Sequence, residues 1–309
     1  MSRSHLVARQ LQDTALRYFL EVVRCGSITE ASARLNVAGS SISRHITQLE
    51  SLLGVALFER HRRGMIPSEA GELLAMHAVK ASHDAERAVY DIEALQGMHR
   101  GKVKVASSEG FAIEFLPRLI ADFVHLHPGI QFDLGVHAPN ESTRRVQIGD
   151  ADIAITMSRT PQTGVTVQHL QPSPVTAVMR AGHPLSGFKT LTLAQLQGYP
   201  LALPEAITTV RQLFDIAVSR QRLPLEPVLT CNYTTSLVGF LRQHDGITIA
   251  GELTVRNQVA RGELACVPLS DAGLDMRNIE VQTMEGRTLS RAAQAFLEYL
   301  VGALEGKVD

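Results

Sequence analysis

SITEASARLNVAGSSISRHITQLE, residues Ser27 to Glu50, divides into two short helical patterns around a turn. Ser27 and Glu30 form an S-x-x-E capping box, in which a hydroxyl and a carboxylate satisfy orphan amides at a helix start. Ala31 and Leu35 then fall four apart, the inner stripe of a short helix. Asn36 to Gly39 interrupts the run: Asn and Gly tolerate left-handed backbone, and Ala38 and Gly39 are small enough for two helices to approach closely. A second helix follows, with Ile42, Ile46 and Leu49 turned inward and Ser40, Ser41, Ser43, Arg44 and Gln48 left on its other faces. Short hydroxyls let a helix approach base edges in a DNA major groove, and a guanidinium can bridge two acceptors of a guanine or hold a phosphate. The pattern is that of a helix-turn-helix, although any small helical hairpin also has a polar outer face.

Working outward, residues 1–12 form a polar N-terminal extension without caps, and Leu16, Phe19, Leu20 and Val23 give a helical stripe that would pack under the two helices. On the other side, Leu52 to Phe58 leads into a basic turn, Glu59 to Ile66, flanked by apolar residues. Read as the wing of a winged helix, it would bring Arg60, Arg62 and Arg63 to backbone phosphates or an adjacent minor groove. Read blandly, it is a solvated charged hairpin. Charge favours the first reading: Met1 to Ile66 holds nine basic and five acidic residues, a balance of +4, whereas the remaining 21 basic and 26 acidic residues give −5.

Ser68 to Leu95 predicts one long helix. Leu74, Ala78, Ala81, Ala85, Ala88, Ile92 and Leu95 alternate in steps of four and three, an a/d seam that wants a partner, either its own domain or an identical helix.

The whole segment from Leu16 to Gly71 resembles the DNA-binding domain of the LysR-type transcriptional regulators. The resemblance rests on the LRYF opening, the GS-x-T-x-A core, the S-R-x-I-x-x-LE helix, LG-x-x-LFER and the EAG entry to the long helix. Two departures stand out. Ala38, Gly39 and Ser40 replace the usual Ser-Gln and Pro or Ser, which removes a Gln often aimed at DNA; Pro67-Ser68 replaces the usual Leu-Thr, and still marks a helix start. The resemblance implies that the long helix dimerises and sets two recognition helices about 34 Å apart, one DNA turn, over an interrupted palindrome of double-stranded DNA. A homodimer or homotetramer, with RNA polymerase as a further partner, belongs to the same expectation.

Gln96 to Lys102 marks a boundary, and beyond it the pattern alternates strands with helices, which implies parallel α/β sheets. The expected organisation is α + α/β. A winged helix-turn-helix DNA-binding domain (13–67) leads to a linker helix (68–96), a hinge (97–101) and an effector-binding domain (102–309). The last is similar to the family's effector domain, two α/β lobes like those of periplasmic binding proteins: lobe 1 at about 102–164 and 268–309, lobe 2 at about 165–267. The stretches that carry this are VASSEGFAIEFLPRLIADFVHLHPGIQFDL, GDADIAI, GHPL and HDGITIA; Gly251-Glu252 stands where many relatives have Pro.

Ligands in open α/β folds gather at strand carboxyl ends and helix N-termini, where free amides favour anions. Ser107 and Ser108, Thr208 and Thr209, and Asn232 with Thr234 supply hydroxyls and an amide at three such points, each also readable as an ordinary helix cap. Together they predict a small-molecule effector, a small organic anion; Arg211 would add charge or lie on a surface helix.

At 309 residues, 45% hydrophobic and 20% charged, the chain has the composition of a soluble globular protein, and no apolar run or apolar leader predicts anything but a cytoplasmic location. No nucleotide, hydrolase or cofactor fingerprint predicts an enzyme. His125 and His127 lack a third metal ligand, and Cys25, Cys231 and Cys266 lack zinc or disulfide spacing. The expectation is therefore no cofactor, no metal and no catalytic residue. A ligand-independent DNA-binding regulator and a redox-responsive member of the same family are the alternatives; a solute-binding protein would leave residues 16–66 unexplained.

Overall fold

The computed structural model describes residues 13–61, 64–95 and 101–307. The extension at 1–12, Arg62 and Arg63 of the expected wing, and residues 96–100 around the expected hinge lie outside them, as do the side chains of Arg60 and Leu95.

The first unit begins with α1 (Thr14–Cys25), capped by Asp13, whose carboxylate accepts from the amides of Ala15 and Leu16 at 2.8 and 3.1 Å. Phe19 and Val22 are fully buried in a core shared with α2 (Ile28–Leu35) and α3 (Gly39–Leu53), to which Ala31, Ile42 and Ile46 contribute. Ser27 accepts from the amide of Glu30 at 3.4 Å, but Glu30 sends its own carboxylate to Arg34 at 2.6 Å. The capping box is half made, because a guanidinium one turn along the helix is the stronger partner. Asn36, at a φ of 55°, ends α2. Gly39 is not needed for close approach: a Cβ there would meet nothing nearer than Ile28 Cγ2 at 3.5 Å, an ordinary contact.

A hairpin of β1 (Phe58–His61) and β2 (Gly64–Pro67) follows, antiparallel, with Phe58 opposite Pro67. It docks on the α1–α2 turn through the Met65 amide, which donates to the Gly26 carbonyl at 2.8 Å. Glycine is required at Gly64, whose φ is 120° and where a Cβ would fall 2.5 Å from the Gly26 oxygen.

The long helix α4 (Glu69–Leu95) is held at its start by Ser68, whose hydroxyl accepts from the Gly71 amide at 3.1 Å. Its expected seam is not uniform. Leu74 packs on the winged-helix core of its own chain, and Ala78, 4% exposed, joins a cluster with Leu20 and Met284. Ala81 and Ala85 are half-buried, whereas Ala88 is exposed and Ile92 is 53% exposed. The chain itself covers the first turns of the seam and leaves Ala88 and Ile92 bare.

From Gly101 the chain runs β3 (Gly101–Ser107), α5 (Glu109–Ala112), α6 (Phe115–Leu126), β4 (Ile130–Val136), α7 (Pro139–Gln147), β5 (Ile153–Ser158), β6 (Val165–Pro172) and β7 (Thr176–Arg180). It continues with β8 (Leu201–Pro204), α8 (Thr209–Gln221), β9 (Pro227–Cys231), α9 (Thr234–Gln243), β10 (Thr248–Ala250), α10 (Glu252–Ala260), β11 (Leu264–Pro268), β12 (Asn278–Met284) and α11 (Arg291–Leu304). Lobe 1 is built on a sheet in the order β4-β3-β5-β12-β6; lobe 2 on β10-β7-β11 beside the pair β8-β9.

The structure corrects two expectations. The sheets are mixed rather than parallel: β3 runs parallel to β4 and β5, but β12 is antiparallel to both β5 and β6, and β7 to both β10 and β11. A strand that re-enters lobe 1 from lobe 2 arrives from the opposite end and pairs antiparallel. Val165–Pro172, which the resemblance placed in lobe 2, hydrogen-bonds along β12 and so lies in the lobe 1 sheet. The crossings between lobes are therefore the connectors around Ser173 and Arg277, where the Ser173 amide donates to the Arg277 carbonyl at 3.0 Å.

Each lobe has its own core. In lobe 1, Phe123 and Phe296 meet edge-to-face at 5.2 Å under Val105 and Ile155; in lobe 2, Phe214 packs with Met179, Leu203 and Ile249. Among the described residues no helix is long and apolar enough to cross a membrane.

Candidate functional site

Two surfaces answer to the residues singled out in the sequence. On α3, Ile42 and Ile46 hold the helix to the core, so that Ser40, Arg44 and Gln48 are exposed while Ser41 and Ser43 are half-buried. Arg44 makes no ion pair among the described residues. The same helix is braced from behind by His45, whose Nδ1 lies 2.8 Å from the Ser41 carbonyl and whose ring meets Tyr18 edge-on at 5.1 Å. A rigid helix thus presents short hydroxyls and an uncommitted guanidinium outward. Arg60 lies on β1 opposite Met65, and Arg62 and Arg63 of the expected wing are outside the described residues.

Between the lobes lies a cavity of about 390 Å³. Ser108, Thr208, Thr209, Asn232 and Thr234 line it, which brings together five of the six positions expected at a ligand. Ser107 is not among them: alternation along β3 turns it inward, where it is wholly buried and donates to the Ser108 carbonyl at 2.9 Å. Thr208 serves as the cap of α8, accepting from the Arg211 amide at 3.4 Å and donating to the Glu205 carbonyl at 2.8 Å. Arg211 adds no free charge, since Asp215 takes its Nε at 2.7 Å and the Pro204 carbonyl its Nη1 at 3.1 Å.

Four charged or imidazole side chains line the cavity, Glu109, His137, Glu205 and Arg277, of which Glu205 is exposed. Glu109, from lobe 1, accepts from the amide and the hydroxyl of Thr234, in lobe 2, at 2.8 and 3.0 Å. A carboxylate of the protein itself thus occupies the N-terminus of α9, where charge-assisted bonds and the helix dipole favour an anion. Burial, with Arg145 nearby, pushes the His137 imidazole down from its ordinary value, so it is neutral at pH 7. Arg277 is only 3% exposed; its Nε donates to the Ser173 carbonyl at 2.6 Å. Burial lowers its guanidinium to about 10, still charged at neutral pH.

Among the described residues no group of three or more His, Cys, Asp or Glu could hold a metal ion. The three cysteines are free thiols. Burial, then Glu21, pushes Cys25 up, and burial does the same for Cys266, which keeps both as thiols rather than reactive thiolates at neutral pH.

Comparison with known proteins decides what this arrangement is. Residues 14–72 match the bacterial regulatory helix-turn-helix protein, lysR family, and residues 96–305 match the LysR substrate binding domain. The chain belongs to the LysR family. It is a DNA-binding transcription regulator with an effector-binding domain, in a family whose members are regulators that bind DNA and small effectors and oligomerise.

This LysR-type regulator is similar to the transcriptional regulator PcaQ of Agrobacterium fabrum, at 26% identity over 98% of this chain and 100% of that one. Its fold is that of a full-length OxyR variant from Pseudomonas aeruginosa, with a TM-score of 0.68 and 18% identity over 93% of each chain. The CcmR regulatory domain of Synechocystis PCC6803, solved in complex with 2-PG, superposes on 68% of this chain and 100% of its own, with a TM-score of 0.57 and 21% identity.

Sequence reading missed Glu109 and Arg277. Glu109 could have been found, because it directly follows the two serines at the end of β3. Arg277 lies in an irregular connector whose periodicity carries no signal.

Proposed function

We propose that this regulator binds a small organic anion in the cleft between its lobes. The occupied cleft then changes how a homodimer, or a homotetramer built from it, holds an interrupted palindromic promoter. The protein acts in the cytoplasm, where RNA polymerase is the partner that reads out the bound state. The cleft cavity carries this reading: about 390 Å³ at the junction of two hinged lobes, within the roughly 300–1,000 Å³ of small-ligand pockets. The complex of the CcmR domain with 2-PG supports a small ligand in a domain of this fold.

On the DNA side, Ser40, Ser41, Ser43, Arg44 and Gln48 of α3 meet the major groove, and Arg60, Arg62 and Arg63 of the wing meet backbone or minor groove. The exposed seam residues Ala88 and Ile92 of α4 are where a second copy pairs with the first. Ligand acts by differential affinity for two lobe or subunit arrangements, since a ligand that binds both equally shifts nothing.

Thr208→Ala combined with Thr209→Ala tests the cleft. In a gel-shift assay of the regulator's own promoter, scanned with a panel of small carboxylates, the double variant is expected to keep ligand-free DNA affinity and lose the response. A wild-type response in that variant contradicts the assignment.

A further inference from the structure

Arg277 is the one described cation on this cavity that is both nine-tenths buried and without an acidic partner. Its side-chain hydrogen bonds go to Ser173, the carbonyl at 2.6 Å and the hydroxyl at 3.5 Å. No carboxylate acts on it; burial is the sole influence on its proton affinity. A buried guanidinium is ordinarily paired, because desolvation costs several kcal/mol that an adjacent anion offsets.

A second feature of the same sign meets it there. Gly251 is the N-cap of α10, a nine-residue helix, and supplies no side-chain cap. The Thr254 amide turns back to the Gly251 carbonyl at 3.1 Å, and the partial positive charge of the helix dipole gathers at that helix end. A Cβ on Gly251 would fall 2.5 Å from Arg277 Nη2 and 2.9 Å from Ser173 Oγ, so glycine is what gives the guanidinium its room. Guanidinium and helix end lie side by side at the cavity, while Glu252, the acidic residue of the helix's first turn, is exposed and 3.5 Å from Arg256.

The rest of the cavity limits what can bind. Of the other helix N-termini on the cavity, that of α7 carries Glu141 in its first turn, that of α8 is capped by the Thr208 hydroxyl, and that of α9 is taken by the Glu109 carboxylate, which also repels a second negative charge. The walls include Phe111, Val136, Met157, Ile207, Leu237 and Ile249. One buried cation, carboxylates at Glu109 and the exposed Glu205, and an apolar wall suit a ligand with one negative group and an apolar body.

Resting on the cleft reading above, we propose that Arg277, in the space left by Gly251, anchors the carboxylate of a monocarboxylate effector whose apolar body fills the cavity. Arg277 also joins the two crossings, through the carbonyl and amide of Ser173, so the anchored group sits on the hinge between the lobes.

The test uses the full-length protein and four probes in thermal-shift titrations: benzoate, hexanoate, benzamide as the neutral counterpart of benzoate, and succinate. Benzoate or hexanoate is expected to raise the melting temperature, with benzamide and succinate at least about tenfold weaker, since a charge-assisted pair of bonds is what separates them. Arg277→Met is expected to abolish the shift, and Gly251→Ala, which crowds the guanidinium without removing it, to weaken binding about tenfold. Circular dichroism melts establish that each variant folds, and Gly251→Ala keeps the test valid if Arg277→Met does not.

Equal binding of benzoate and benzamide, or wild-type binding by folded Arg277→Met or Gly251→Ala, overturns the anchor while leaving the cleft reading intact. Stabilisation by succinate alone overturns the monocarboxylate class. Stabilisation by none of the four overturns the class as well, and the promoter assay on the Thr208 and Thr209 variant then judges the cleft separately.

Discussion

Glu109 reaches from one lobe of the effector domain to the other and takes both the backbone amide and the hydroxyl of Thr234, at 2.8 and 3.0 Å. A side chain from lobe 1 thereby caps a helix of lobe 2 across the cleft.

Because both bonds involve a charged acceptor, Glu109→Ala is expected to cost about 1.5–3 kcal/mol of stability. The specific signature is local. Amide hydrogen exchange at Thr234 should quicken by at least about tenfold, as that donor loses its partner. Unchanged exchange there, with the rest of the protein intact, would show that the contact does not hold the lobes together.

The pH dependence of stability has an identifiable contributor in Glu141. Arg144 and Arg145 bond its carboxylate and pull it from an ordinary 4.5 down to about 2. A lowered folded value means the stabilisation is present above 4.5 and is lost as pH falls from there through about 2. With a third of the side chain exposed, solvent screening holds the contribution to about 1 kcal/mol or less. Glu141→Gln should lower the melting temperature at pH 7, and the gap from wild type should close by pH 2 to 3. A gap that stays constant across that range contradicts the assignment.

Two positions on the long helix α4 should respond differently to the same change. Leu74→Glu buries a charge in the winged-helix core and is expected to unfold that domain. Ile92, 53% exposed, loses nothing within its own chain, so Ile92→Glu should leave the monomer folded and shift sedimentation from dimer to monomer. A stable Ile92→Glu dimer would place the pairing elsewhere.

These two residues also show how far the sequence could be read. The seam from Leu74 to Leu95 was visible because helical periodicity is a local property. Which part of it the chain would cover depends on α1 and lobe 1, far away in sequence, and no spacing reports that. The same division runs through the cleft. Ser108, Thr208, Thr209, Asn232 and Thr234 were legible because strand ends and helix starts announce themselves by residue type. Ser107 was misplaced by one step of strand alternation. Arg277 and the pairing of β6 with β12 were illegible, because both arise where the chain crosses between lobes and are set by tertiary closure rather than local pattern.

In the N-terminal unit the legible part was larger, since nearly every interaction is local. The exception is again a choice between partners: Glu30 takes Arg34 in place of the Ser27 amide. Gly64 and Gly71 owe their identity to backbone oxygens of Gly26 and Leu57 that only the folded hairpin brings near.

Promoter recognition depends most directly on α3 lying in the major groove of a duplex with Arg44 against it. Gel-shift titration of wild type and Arg44→Ala, on the regulator's own promoter and on random duplex at moderate salt, measures this. Wild type should prefer the promoter, and Arg44→Ala should lose about 1–3 kcal/mol of binding, roughly five- to 150-fold, while remaining a dimer. Promoter binding by Arg44→Ala at full wild-type affinity and selectivity would contradict it.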